Sequence, residues 1–142
     1  MYCTVDDIKK YIDDELVERI TEAYAGRIEQ HISDVSSEID DVLRGRYILP
    51  LTSTPAVINR CCSVLTAYRT LGGITGVMET DKTTDNALMY LQKQSDSANK
   101  LLESIRDGKL NLGLAEAKTD STTSDNEFLT ISPRREFDMR GY

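Results

Sequence analysis

Ile28, Ile32, Val35, Ile39 and Val42 recur at alternating steps of four and three. This spacing draws one apolar stripe down an α-helix. Glu29, Asp34, Ser37, Asp40 and Asp41 fall on the opposite, wetter face. Gly45 predicts the end of this helix, because glycine best tolerates the left-handed conformation that closes one. Ile48-Leu49-Pro50-Leu51 then predicts an extended exit, since proline disfavours helical geometry in the residue before it.

The same reading organises the rest of the chain. Thr4 and Asp7 have the spacing of a capping box, opening a short helix with Val5, Ile8 and Ile12 on its apolar face. Asp13 or Asp14 caps a second short helix bearing Leu16, Val17 and Ile20. Periodicity barely changes across Gly26, and the break before the long helix is placed near Thr21. Thr54-Pro55 predicts a helix start, a threonine cap with proline at the first helical position. Val57, Ile58, Cys61, Cys62, Val64, Leu65, Tyr68 and Leu71 cover about half the circumference of that helix, so it is expected to be the most buried element. Gly72-Gly73 predicts its end and Ile74–Lys82 a loop. Thr83 or Thr84 caps a last long helix whose inner face is Leu88, Leu91, Ala98, Leu102 and Ile105. Met89 and Tyr90 project off that face, and Asp107-Gly108 closes it.

From Ala115 the pattern fails. Glu116–Glu127 is rich in Thr, Ser, Asp and Asn and has no apolar residue except Ala117, a composition that buries too little surface to offset the entropy of ordering. Phe128-Leu129-Thr130-Ile131 alternates like a short strand before Pro133 interrupts it. The chain therefore reads as all-α: a helical domain over residues 1–112, with two short helices and three longer ones, then a flexible linker and extended C-terminal arm over 113–142.

Composition narrows the function. The 142 residues fit one domain, tryptophan is absent, and the formal charge is −7. Residues 1–50 carry 12 acidic and 6 basic side chains, so the acidity is concentrated there. Such a body does not condense on phosphates, which argues against sequence-specific nucleic-acid binding yet suits a channel through which DNA slides without sticking. No targeting segment or membrane span is expected. Three cysteines form no framework, which fits synthesis in a reducing cytoplasm.

Candidate chemistry is sparse. His31, the one histidine, has Asp34 a turn away but no second base, nucleophile or ligand, and reads as a rim residue. Cys61-Cys62 lacks a second pair at ligand spacing and reads as small buried hydrophobes. Asp40-Asp41 and Asp13-Asp14-Glu15 read as solvated faces and caps. No enzyme activity, cofactor or metal site is expected. Arg44, Arg46 and Tyr47 have two readings: simple helix termination at the dipole's negative end, or an intersubunit contact in which arginine meets an acidic helix of the next copy. Phe137 and Tyr142, beyond the polar linker, read either as a frayed tail or as aromatic anchors for a partner. The expected protein interface comprises Arg44, Arg46, Tyr47, Leu49 and Pro50, with Arg134, Arg135, Phe137, Met139, Arg140 and Tyr142 from the arm.

The run Ser37-Glu38-Ile39-Asp40, then Leu43, Arg46-Tyr47 and Leu49-Pro50-Leu51, resembles the head–tail connector, or neck, proteins of tailed phages and Mu-like prophages. The likeness continues at Val57, at Ala98, Leu101, Leu102, Ile105 and Gly108, and at Arg135, Phe137, Met139, Gly141 and Tyr142. The resemblance implies a structural protein of the virion neck, assembled in the host cytoplasm. It implies a homo-oligomeric ring, commonly of twelve copies, seated on the portal protein and passing DNA to a tail-side neck or tail-completion protein. The alternative, from composition alone, is a cytoplasmic helical regulator that binds one protein through its arm.

Overall fold

A computed structural model describes residues 1–75 and 82–117. Among them are five helices and no strand: α1 (Val5–Ile8), α2 (Asp14–Ala23), α3 (Arg27–Leu43), α4 (Ala56–Thr75) and α5 (Lys82–Arg106). The all-α expectation holds. The core is continuous, and α4 lies at its centre, packed against α1, α3 and α5, while α3 also meets α5. Ile58, Cys62, Val64, Ala67 and Leu71 of α4 are fully buried beside Ile28, Ile32, Val35, Ile39 and Leu43 of α3. Leu91, Ala98, Leu102 and Ile105 close the third side. Val57, read as covered, is 37% exposed at the rim of a groove lined also by Arg60, Cys61, Gln94 and Leu101. Met89 and Tyr90 face outward as expected.

Helix ends follow the sequence in part. Thr4 and Asp7 form the capping box reciprocally, and Gly108, at φ +80°, ends α5 in the left-handed conformation. Three boundaries differ. Thr21 does not break α2, and its hydroxyl donates to the Val17 carbonyl within the helix (2.9 Å); the break falls at Tyr24–Gly26, where Gly26 takes φ +77°. Gly45 is not left-handed. The Arg46 and Tyr47 amides both bond the Leu43 carbonyl at 2.9 Å, so a tightened last turn satisfies the helix end instead. Gly72-Gly73 does not stop α4, which runs on to Thr75. Two glycines cost a helix roughly 1 kcal/mol each, a cost too small to end a helix whose preceding turns, through Leu71, are buried in the core. At the other end α4 starts at Ala56, with the Pro55 carbonyl accepting from the Asn59 amide (3.0 Å). α5 starts at Lys82, ahead of the Thr83/Thr84 caps.

Candidate protein-interaction site

The exit from α3 is built around one side chain. Arg46 leaves the last turn and points at the end of α5, where its Nη1 donates to the Ile105 carbonyl (2.7 Å) and the Leu110 carbonyl (3.0 Å). Its Nε and Nη2 donate to Glu116 Oε1 at 3.2 and 2.9 Å. The planar fork suits this task, since one guanidinium offers five donors in fixed directions. Gly108 turns the chain beside it at φ +80°, and a Cβ there would meet Arg46 Nη1 at an ordinary 3.6 Å, so the backbone turn rather than space calls for glycine. The guanidinium also sits 5.4 Å from the centre of the Tyr47 ring.

Tyr47 is 1% exposed, and its hydroxyl accepts from the Leu112 amide (3.0 Å). The Ala117 amide donates to the Arg46 carbonyl (2.8 Å) and the Ile48 amide to the Ala115 carbonyl (3.4 Å), forming an isolated antiparallel bridge between Tyr47 and Glu116. Leu112 and Leu114 pack partly buried on the core. The polar run expected to lose structure from Ala115, beyond a boundary at 112, therefore stays on the body through Ala117. Composition concealed this because the partners that order Ala115–Ala117 lie about 70 residues earlier.

Of the expected interface residues, Arg46 and Tyr47 are committed inside the chain. Arg44 is exposed and holds only a surface pair with Asp41 (3.2 Å), an arrangement worth little. Leu49 is half-buried and Pro50 exposed. Ile48, passed over as part of the exit, is 58% exposed beside them; a large apolar side chain one residue past a buried tyrosine was the available signal. Asp40, Arg44, Ile48, Leu49, Pro50 and Ala117 line one open groove. Arg134, Arg135, Phe137, Met139, Arg140 and Tyr142 lie outside the described residues.

A second junction at the other end of the chain escaped sequence reasoning. Residues 1–4 lie across α3 and α4. The Tyr2 amide donates to Ser36 Oγ (3.2 Å), its hydroxyl to Asp40, and its carbonyl accepts from Asn59 Nδ2 (2.9 Å). Burial and the adjoining Asp40 carboxylate push the Tyr2 phenol well above its usual range. Asn59 also donates to Asp7 (3.1 Å), and Lys10, Asn59 and Thr4 together hold that carboxyl below the usual carboxylate range. Cys3 Sγ lies 3.0 Å from Cys62 Sγ.

His31 sits half-buried on α3, its Nδ1 buried with no hydrogen-bond partner among the described residues. Burial, then Arg27 and Arg69, lower its pKa below the ordinary imidazole value, which favours the neutral form. Among the described residues no three His, Cys, Asp or Glu side chains converge as metal ligands, and no helix is long and apolar enough to cross a membrane.

Compared with known proteins, residues 2–131 match the family model described as "Bacteriophage Mu, Gp36". The chain belongs to this family. It is also 30% identical over 101 residues to the Mu-like prophage FluMu protein gp36 of Haemophilus influenzae, an alignment covering 71% of this chain. That alignment covers 61% of the relative's own length. The resemblance to Mu-like phage proteins is thus established at family level.

Proposed function

We propose that this member of the Mu Gp36 family is a structural neck protein, a head–tail connector that forms a ring on the portal and continues the DNA channel toward the tail. Family membership over residues 2–131 carries this reading. The helical body supports it. Exposed Asp14, Glu15, Glu18 and Glu22 on α2, with Glu29, Asp34 and Glu38 on α3, make outer faces along which a polyanion slides without being trapped. In this proposal those faces turn toward the DNA, and the chain acts in assembly rather than as an enzyme.

The contact between copies, or to the portal and a tail-side partner, is assigned to Arg44, Ile48, Leu49 and Pro50 on the body and to Arg134, Arg135, Phe137, Met139, Arg140 and Tyr142 beyond it. The sixteen residues 118–133 have a maximum reach of roughly 50 Å, enough to meet a neighbouring subunit. Phe137 and Tyr142 offer large apolar area at low rotamer cost, and each aromatic anchor contributes on the order of 2 kcal/mol when buried. Repetition round a ring raises the effective concentration of each contact.

The test is deletion of Arg134–Tyr142, with Phe137→Ala/Tyr142→Ala as its side-chain counterpart. Both variants are expected to keep the melting temperature while losing the ring-sized complex with purified portal protein in sedimentation. If the intact chain stays a monomer or dimer beside its portal, the connector reading fails. Tight, salt-sensitive binding of duplex DNA by the chain alone contradicts the channel.

A further inference from the structure

We propose that Cys3 and Cys62 are a disulfide site that fastens residues 1–4 to α4. Their sulfurs are 3.0 Å apart, closer than two non-bonded sulfurs ordinarily approach and only about 1 Å beyond a covalent S–S bond. Both thiols are buried and free. Cys3 belongs to no helix, so the small shift that bonding demands falls on an irregular segment rather than on α4.

The third cysteine does not compete. Cys61 neighbours Cys62 in sequence, but its Sγ turns to the α5 side, 3.9 Å from the Ala98 carbonyl. Successive helical residues diverge by about 100°, which separates the two thiols. Cys62 alone faces residues 1–4, with Ser36 Oγ 3.7 Å away. Its environment favours the thiolate. Hydrogen bonding from Cys3, then from Ser36 and Thr66, lowers the Cys62 pKa against the opposing effect of burial, whereas Cys3 and Cys61 are both pushed up. Ser36 and Thr66 beside Cys62 favour it as the nucleophile of the pair, while the 3.0 Å contact serves attack from either sulfur.

With hydrogen peroxide as oxidant the chemistry balances. The Cys62 thiolate attacks one peroxide oxygen; the O–O bond breaks, and the departing hydroxide takes a proton to become water. Cys3 Sγ then attacks the Cys62 sulfenic acid. The S–S bond forms, the S–O bond breaks, and the second hydroxide leaves with the Cys3 proton as water. Two thiols lose two electrons and peroxide gains them. The bond closes a loop running from Cys3 to Cys62 through α1, α2 and α3, a long loop of the kind whose closure most restricts the unfolded chain. The pair stays reduced in a glutathione-buffered cytoplasm and oxidises outside it.

The experiment treats the folded full-length chain with hydrogen peroxide, alkylates remaining thiols, and maps a non-reduced tryptic digest by mass spectrometry. The expected product links Met1–Lys9 to Cys61–Arg69 with loss of two hydrogens. Its melting temperature should rise by on the order of 10 °C and return to the starting value with dithiothreitol. Cys61→Ser should preserve both link and rise, which fixes the partner as Cys62. Cys3→Ser should abolish both while melting, when reduced, near the unmodified chain. A link through Cys61, a link between two chains, sulfinic acid at Cys62 in place of the link, free alkylatable Cys3 and Cys62 after treatment, or a link without a higher melting temperature each overturns the proposal. None of these outcomes depends on a portal being present, so the connector reading stands or falls separately.

Discussion

Two irregular segments, one from each terminal part of the chain, are tied to the α3–α4–α5 core by different chemistry. Residues 1–4 are held by a buried phenol, two thiols, a serine and an asparagine, with the Asp40 and Asp7 carboxylates at the edge. Residues 108–117 are held by the Arg46 guanidinium, which reaches two carbonyls and a half-exposed carboxylate, together with the Tyr47 hydroxyl and the backbone bridge at Glu116. The first junction distributes its free energy over many small contacts. The second relies most on Arg46, whose loss removes four hydrogen bonds at once. Both rest on α3, Tyr2 against Ser36 and Asp40 and the guanidinium just past Leu43.

The largest effect should come from removing the ground both junctions share. Ile39 is 1% exposed on the buried stripe, and Ile39→Asp places an unpaired charge there at a cost of several kcal/mol. Circular dichroism should then report an unfolded chain. A cooperative melt near the original temperature would deny that α3 is the common support.

Arg46→Ala comes next, at about 2 kcal/mol, because four hydrogen bonds to the end of α5 and Glu116 go together, although the Ile105 carbonyl keeps the Gly108 amide and Glu116 keeps Asn111. Amide exchange should quicken at Leu112 and Ala117 while Tyr2 stays protected. Arg46→Lys should recover little, since a point ammonium cannot span three acceptors. Full recovery by lysine would reduce the junction to simple charge.

At the other junction Asp7→Asn should cost about 1 kcal/mol as one half of a capping box. The Asp7 carboxyl is held below its unfolded pKa, so the stability it adds is present above about pH 4 and fades as pH falls further. Acid melts of the parent and the variant should therefore converge below that pH. Parallel curves would show that Asp7 acts by shape alone.

The smallest change is His31→Ala, within about 0.5 kcal/mol at pH 7. Burial lowers the folded pKa of His31, so its neutral form is compatible with the fold and protonation is not. The parent should lose a little stability as pH falls from 7 to 5, a loss absent from the variant. Strong destabilisation at pH 7 would mean that the imidazole has a structural partner after all.

Periodicity was enough to read the helices, because burying a 3.6-residue stripe is the dominant favourable contribution and leaves its mark on every turn. The residues predicted for α3, α4 and α5 are largely those buried, and the Thr4–Asp7 cap is legible because both partners sit within one turn. What the sequence could not settle was any choice made by a distant partner. Thr21 and Gly72-Gly73 look like breaks, but the buried residues beside them, Val17 and Ile20 in α2 and Leu71 in α4, kept the helices going. Arg46 and Tyr47 look like a surface patch, yet the end of α5 lies close enough to use both. Glu116 looks like a linker residue until Arg46 meets it. Cys3 and Cys62 are unremarkable 59 positions apart and become a pair only when residues 1–4 cross α4. Local composition governs which segments coil, since that depends on neighbours along the chain. The pairing of a guanidinium or a thiol depends on neighbours in space, and only the folded chain supplies those.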